Sequence, residues 1–150
     1  MGAQDAEQIK TSPDAFEPYF ISQGFRVGDL VFLSGQAAID DQGAVVGVGD
    51  FDAQAAQVFR NIEAVLQAAG TSLRRVFKVV IYLTDMANFP KILELRQTWF
   101  TQPYPADTVV EVRSLAFPEL LIEVDAIAVV DGQLIAAKAD RRAPLSPPDA

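Results

Sequence analysis

Residues 76–83 place the strongest constraint on how this chain can fold. The segment Val-Phe-Lys-Val-Val-Ile-Tyr-Leu is nearly all apolar and rich in β-branched residues, which is typical of a β-strand. In such a strand Val79 and Ile81 lie on one side, and Val80 and Tyr82 lie on the other. A strand that is apolar on both sides is buried on both sides. The sheet that contains it therefore needs two covering layers.

The rest of the chain predicts only two helices. The first follows Asp50, an N-cap candidate, carries an apolar stripe with 3–4 spacing, and ends before Gly70, a typical C′ residue. The second begins at Asp85 or Asn88 and runs to about Thr101. Further strands are predicted at residues 30–33, 44–46, 108–115 and 120–130. The pattern indicates an α+β fold, with a mixed β-sheet and two helices on one face.

Two helices can cover only one face of this sheet, and no segment remains to form a third layer. The apolar second face of the strand at residues 76–83 therefore predicts an oligomer, in which another subunit supplies the missing cover. The alternative is a monomer with one exposed apolar face.

The length of 150 residues is typical of one domain. We expect a flexible N-terminal segment at residues 1–15, a single domain at 16–135 and a polar C-terminal tail at 136–150. No apolar run reaches the roughly 18 residues that a membrane-spanning helix needs, and residues 1–12 lack the apolar region of a signal peptide. A cytoplasmic protein with no membrane partner is expected.

The composition excludes several classes of function. The chain has 20 acidic and 12 basic residues and a formal net charge of -8, so phosphate backbones repel it and nucleic-acid binding is disfavoured. It has no cysteine and no histidine, which excludes disulfides, thiolate nucleophiles and a histidine base. The spacing of the aspartates fits turns and caps, so no metal site is expected. Any chemistry must use carboxylate, hydroxyl, amine, guanidinium or backbone groups.

Several segments match the motifs of one protein family. They are residues 27–36 (Val-Gly-Asp-Leu-Val-Phe-Leu-Ser-Gly-Gln), 57–70 (Gln-Val-Phe-Arg-Asn-Ile-Glu-Ala-Val-Leu-Gln-Ala-Ala-Gly), 79–85 (Val-Val-Ile-Tyr-Leu-Thr-Asp) and 121–128 (Leu-Ile-Glu-Val-Asp-Ala-Ile-Ala). Together with Pro105-Ala106, they stand in the family's order across residues 19–130. The sequence resembles the Rid family, which is also called YjgF-type.

The resemblance implies a chorismate-mutase-like (YjgF-type) fold and a homotrimer that binds a small molecule in the cleft between subunits. It also implies the hydrolysis of reactive enamines and imines, such as 2-iminobutanoate and 2-iminopropanoate, to 2-oxoacids and ammonia without a cofactor. In the family's deaminases an arginine holds the substrate carboxylate through a bidentate pair. A glutamate helps to position the attacking water, and a tyrosine and an asparagine help to line the cleft.

Four residues of this chain fit that site. Glu123 matches the glutamate and is the predicted catalytic residue. Tyr19, in a Pro-Tyr pair, resembles the tyrosine. Ser34 and Gly35, in the first motif, are predicted to contact the substrate; Ser34 has no histidine to activate it as a nucleophile.

The chain departs from the family at two positions of the site. Asp107 follows Pro-Ala where the family has its arginine, and Leu93 stands where the asparagine is expected. Asp107 reverses the charge at the carboxylate anchor, and two carboxylates a few ångströms apart repel by roughly 1–4 kcal/mol. If the site is otherwise unchanged, a 2-imino acid is expected to bind poorly.

Arg96 is the candidate to replace the missing arginine. It lies on the apolar stripe of the second predicted helix, between Ile92 and Phe100. An arginine in that position either extends to solvent or meets a buried anion. In the second case Arg96 is a substrate-binding residue of the intersubunit cleft, paired with Asp107 or Glu123.

The sequence leaves two functions open. The first is a Rid-family deaminase that hydrolyses reactive imines to carbonyl compounds and ammonia, with its substrate altered by the loss of the arginine. The alternative is a non-catalytic small-molecule-binding or regulatory trimer, because membership of a fold does not by itself confer activity. The historical endoribonuclease label of the family fits poorly with the negative charge and the lack of histidine.

Overall fold

The computed structural model describes residues 4–138. It contains seven strands and two α-helices. The strands are β1 (Ala6–Ile9), β2 (Gly24–Val27), β3 (Leu30–Leu33), β4 (Gln36–Ala37), β5 (Val76–Leu83), β6 (Ala106–Glu111) and β7 (Ile122–Val129), and the helices are α1 (Phe51–Ala68) and α2 (Phe89–Trp99). Within the described residues, no helix combines the length and the apolar character needed to cross a membrane.

The strands form one mixed sheet in the order β1-β2-β3-β7-β5-β6, with β4 also paired to β7. All neighbours are antiparallel except β5 and β6, which are parallel and are joined through α2. The long strands β5 and β7 therefore lie at the centre, and β6 forms one edge. This confirms the predicted α+β fold with a mixed sheet and two helices.

Helix α1 forms where the sequence signals predict it. The side chain of Asp50 caps the helix by accepting a hydrogen bond from the backbone N–H of Ala53 at 3.0 Å. Gly70, with φ of 78°, takes the left-handed conformation that follows the helix end. The rings of Phe59 in α1 and Trp99 in α2 stack at 5.2 Å, so the two helices form one layer.

The sheet has one face that the helices cover and one that they leave open. On the helix-covered face, Val79 and Ile81 of β5 pair with Ala126 and Val124 of β7, and all four are buried. The alternate residues of both strands face the other way; they include Lys78, Val80, Tyr82, Glu123 and Asp125, and each is partly exposed. We call the second surface the open face.

The open face carries apolar side chains that nothing among residues 4–138 covers. Phe25 and Phe32 are cross-strand partners and remain 40% and 41% exposed. The described part of the chain supplies no third layer above them, because both α-helices lie on the other face of the sheet. Cover by another subunit stays a prediction.

The N-terminal segment differs from the expectation of a flexible lead-in. Residues 6–9 form the edge strand β1 on β2, and Ile9 is buried. Thr11 and Gln23 exchange two further hydrogen bonds, at 2.7 and 2.9 Å. Long-range pairing decides this strand, because its sequence has little β propensity. Of the expected tail, residues 139–150 lie outside the described part of the chain.

Three local expectations were also wrong. Residues 44–46 make only an isolated bridge, between Ile39 and Val45, instead of a strand. Strand β6 runs over 106–111 instead of 108–115. Helix α2 ends at Trp99 instead of about Thr101.

Candidate functional site

A cavity of about 310 Å³ lies where the end of β3, the start of β4 and the loop before β7 meet. Its lining is mostly apolar and consists of Phe16, Tyr19, Ile21, Ser34, Gly35, Ala37, Ile39, Ala116, Phe117 and Glu123. Four predicted site residues, Tyr19, Ser34, Gly35 and Glu123, therefore come together here. No lysine or arginine is among these lining residues.

Glu123 supplies the charged group of the cavity. It sits near the start of β7, paired with Ala37 on one side and Tyr82 on the other. Burial raises the pKa of its carboxyl group, and the nearby charge of Asp125 raises it further. A carboxyl group with a raised pKa can exchange protons closer to neutral pH, which suits acid–base chemistry.

Gly35 allows the Glu123 carboxyl group to occupy its place. A Cβ atom built on Gly35 would overlap Oε1 of Glu123 and would also approach its carboxyl carbon at 2.9 Å. The glycine is therefore required for close approach, as expected of a glycine at the end of a strand. Its missing side chain leaves room for the carboxylate beside the backbone of Gly35.

Ser34 has a structural role beside its place in the lining. Its hydroxyl donates a hydrogen bond to the carbonyl oxygen of Ser22 at 2.6 Å, and its own carbonyl accepts one from Gln36 Nε2 at 3.0 Å. Since the hydroxyl proton is already used, Ser34 can offer the cavity only an acceptor. This agrees with the expectation that it is not a nucleophile.

Tyr19 and Phe117 form an aromatic rim at the cavity. Their ring centroids are 6.0 Å apart with an angle of 67° between the planes, which is a favourable edge-to-face arrangement. Tyr19 ends a short 3₁₀ turn, and the chain then turns sharply at Phe20, whose φ is 58°. Phe16, Ile21 and Phe117 were not singled out from the sequence, because loop residues leave no periodic signal.

A polar group beside Glu123 on the open face was also missed. The Tyr82 side chain and the charge of Lys78 both act to lower the pKa of the Asp125 carboxyl group. Burial raises the pKa of Asp125 despite both partners, and its Oδ1 atom is buried without a hydrogen bond. Positions 123 and 125 share one strand face, and that two-residue spacing could have revealed the pair.

Arg96 and Asp107 lie together, but away from this cavity. Arg96 Nε donates to Asp107 Oδ2 at 2.7 Å, and the two side chains are only 28% and 13% exposed. Asp107 pairs with Val79 in the sheet, so it points to the helix-covered face, whereas Glu123 points to the open face. Asp107 is therefore the partner of Arg96 in this structure. Within one chain, Arg96 and Glu123 lie on opposite faces of the sheet and do not meet.

Comparisons with known proteins agree with this architecture. The family model described as Endoribonuclease L-PSP matches residues 9–130. A RutC family protein of Pyrococcus horikoshii is 40% identical over 119 residues, which are 79% of this chain and 92% of that protein. A 2-iminobutanoate/2-iminopropanoate deaminase of Dermatophagoides farinae is 32% identical over 120 residues, covering 80% of this chain and 91% of the relative.

A solved structure gives the same result for the fold. The crystal structure of a conserved Rid family protein from Yersinia pestis superposes with a TM-score of 0.76 at 32% identity, covering 84% of this chain and 100% of that one. The molecule is therefore an α+β protein of the YjgF type. The chain belongs to the Rid family, which confirms the resemblance seen in its motifs.

Proposed function

We propose that this protein is an imine and enamine deaminase, which hydrolyses reactive imines to carbonyl compounds and ammonia without a cofactor. The observation that carries the proposal is the half-buried Glu123 carboxyl group, held against Gly35 at the wall of an apolar cavity. At the level of the family, relatives from a mite and from Salmonella typhimurium are named 2-iminobutanoate/2-iminopropanoate deaminases. Both facts support the reaction class.

In this proposal Glu123 is the catalytic residue and moves the protons of the reaction. Water attacks the imine carbon and gives a proton to the carboxylate, while the C=N π electrons move to nitrogen, which takes that proton. The resulting carbinolamine then gives its hydroxyl proton to Glu123, and the C=O bond forms as the C–N bond breaks. Glu123 passes this proton to the departing nitrogen, which leaves as ammonia. Burial favours this role, because it raises the pKa of Glu123 toward the working pH.

The proposal includes the surroundings of the site. Tyr19, Ser34 and Gly35 would contact the substrate, and the cavity would lie in a cleft between the subunits of a cytoplasmic homotrimer. The exposed apolar pair on the open face, Phe25 and Phe32, supports an oligomer. A place for Arg96 and Asp107 in the cleft stays a prediction, which requires that a neighbouring subunit bring them to Glu123.

One observation favours the second candidate, a non-catalytic small-molecule-binding or regulatory trimer. The chain has Asp107 where the resemblance expects the carboxylate-binding arginine, and this aspartate is occupied by Arg96. A site that has lost its anchor could retain binding without turnover.

The rate of ammonia release distinguishes the two candidates. Imines generated in situ by flavin oxidases, from amines and from amino acids, are the substrates. We expect the wild type to accelerate ammonia release and Glu123→Gln to lose this activity by about 100-fold or more. Glu119→Gln is the matched control, because Glu119 is an exposed glutamate in the loop before β7. No acceleration of any of these imines by the wild type would reject the deaminase in favour of the binder.

A further inference from the structure

We propose that the cavity takes an uncharged imine or enamine with an apolar or aromatic side chain, and discriminates against imines that carry a carboxylate. The inference rests on the deaminase function proposed above, since it names the substrate class of the same site. It follows from the charges around the cavity, from the pairing of the nearest candidate cation, and from the nature of the walls.

The charges at the cavity are unfavourable to an anion. Glu123 is the charged residue of the lining, and Asp125 adds a second carboxylate on the same face of β7. Lys78 is the cation of that face, but its Nζ donates to the carbonyl oxygen of Val79 at 2.7 Å and to Thr108 Oγ1 at 3.3 Å, and it does not line the cavity. A ligand carboxylate would therefore lie beside Glu123 with no cation in the lining to balance it.

The Arg96–Asp107 pair does not add a net positive charge to the cavity. Arg96 is bound by a carboxylate of its own chain at 2.7 Å. If the oligomer brought this edge of a neighbouring subunit to the cavity, the arginine would arrive with its aspartate, as a pair without net charge. An anionic ligand would have to compete with Asp107, which is already in place.

The walls of the cavity favour an apolar group. Phe16, Ile21, Ile39 and Phe117 contribute side chains, and the ring of Tyr19 packs edge-to-face on Phe117. The volume of about 310 Å³ is at the lower end for small-ligand sites, which usually combine apolar walls with a few polar groups. The polar side chains of the lining are Glu123 and Ser34. Gly35 is next to both of them, so they lie on one side of the cavity. A substrate with a reactive C=N group and one hydrocarbon group fits a cavity with polar side chains on one side and apolar walls elsewhere.

Two imines that differ only by a carboxylate test the inference. A flavin-dependent monoamine oxidase converts phenethylamine to 2-phenylethanimine, and an L-amino-acid oxidase converts phenylalanine to 2-imino-3-phenylpropanoate. Semicarbazide in the assay traps the imine that escapes hydrolysis, and a reaction without the protein gives the spontaneous rate. We expect the wild type to accelerate hydrolysis of the uncharged imine at least about 10-fold more than that of the carboxylate.

Each outcome has a distinct meaning. Equal or faster hydrolysis of 2-imino-3-phenylpropanoate overturns the inference while leaving the deaminase function intact. If that activity were lost in Arg96→Gln or in Arg113→Gln, a variant in the loop after β6, the result would identify the arginine that binds the carboxylate. Acceleration of neither imine overturns the inference together with the proposed function. A preference for the uncharged imine that is retained in Arg96→Gln supports it.

Discussion

Two carboxylates on opposite faces of the same sheet differ in what surrounds them. Asp107, on the helix-covered face, is 13% exposed and is held by the Arg96 guanidinium at 2.7 Å. Glu123, on the open face, lies beside a cavity whose lining, among residues 4–138, holds no lysine or arginine, and its pKa is raised by burial and then by Asp125. The comparison shows that one sheet can hold a carboxylate paired with an arginine on one face and, on the other face, a carboxylate whose pKa is raised, as the proposed chemistry requires.

The first prediction tests the close approach between Gly35 and the Glu123 carboxyl group. Gly35→Ala introduces a Cβ that overlaps the Glu123 carboxyl group, so the carboxylate must move. We expect imine hydrolysis to fall about 100-fold, since a displacement of about 1 Å has that effect in well-ordered sites. The overlapping atoms are the flexible end of Glu123, which borders the cavity and can turn aside, so the free energy of unfolding should fall by less than about 1 kcal/mol.

The double variant Gly35→Ala with Glu123→Ala is its control. Removing the carboxyl group removes the overlap, so the double variant should be as stable as Glu123→Ala alone, while the activity stays low. Wild-type turnover in Gly35→Ala would mean that the position of the Glu123 carboxylate is unimportant.

The second prediction tests whether the Arg96–Asp107 ion pair stabilises the fold. Arg96→Gln leaves Asp107 with little exposure and no cation. Fully buried pairs lose about 3–5 kcal/mol on such a change, and because Arg96 is 28% exposed we expect about 1–3 kcal/mol by urea denaturation. The double variant Arg96→Gln with Asp107→Asn should recover most of this loss, because no unpaired charge remains.

A surface pair provides the matched control. Lys91 and Asp52 are 2.8 Å apart, with side chains that are 43% and 71% exposed, so Lys91→Gln should cost less than about 1 kcal/mol. If Arg96→Gln costs no more than Lys91→Gln, or if Asp107→Asn fails to restore stability, the pair on the helix-covered face is not structural.

The sequence was sufficient for the elements whose signals are local. Helix α1 has an aspartate cap, a regular apolar stripe and a terminal glycine, and the motif containing Ser34 and Gly35 led to the cavity with Glu123. The separation of Asp107 from Glu123 depends instead on the register of β5 with β6 and β7. A shift of one residue in a strand reverses the face of each side chain, and no local pattern in β6 fixes that register.

Strand β1 and the pairing of Arg96 illustrate the same limit. Residues 6–9 become a strand because β2 offers an edge, which composition does not reveal. The stripe of α2 placed Arg96 near buried residues, but both Asp107 and Glu123 remained open as partners. Only the three-dimensional structure, in which Arg96 donates a hydrogen bond to Asp107, decides between them.

The titration of the Glu123 carboxyl group in the full-length protein in solution tests the central claim most directly. Carboxyl carbon resonances of ¹³C-labelled glutamate can be followed by NMR from pH 3 to pH 9, with Glu123→Gln to assign the signal. We predict a pKa above the ordinary glutamate value of about 4.3, because the carboxylate is partly buried and lies near the charge of Asp125. A pKa at or below that value would mean that the carboxylate is stabilised by a group such as a cation, and it would contradict the account.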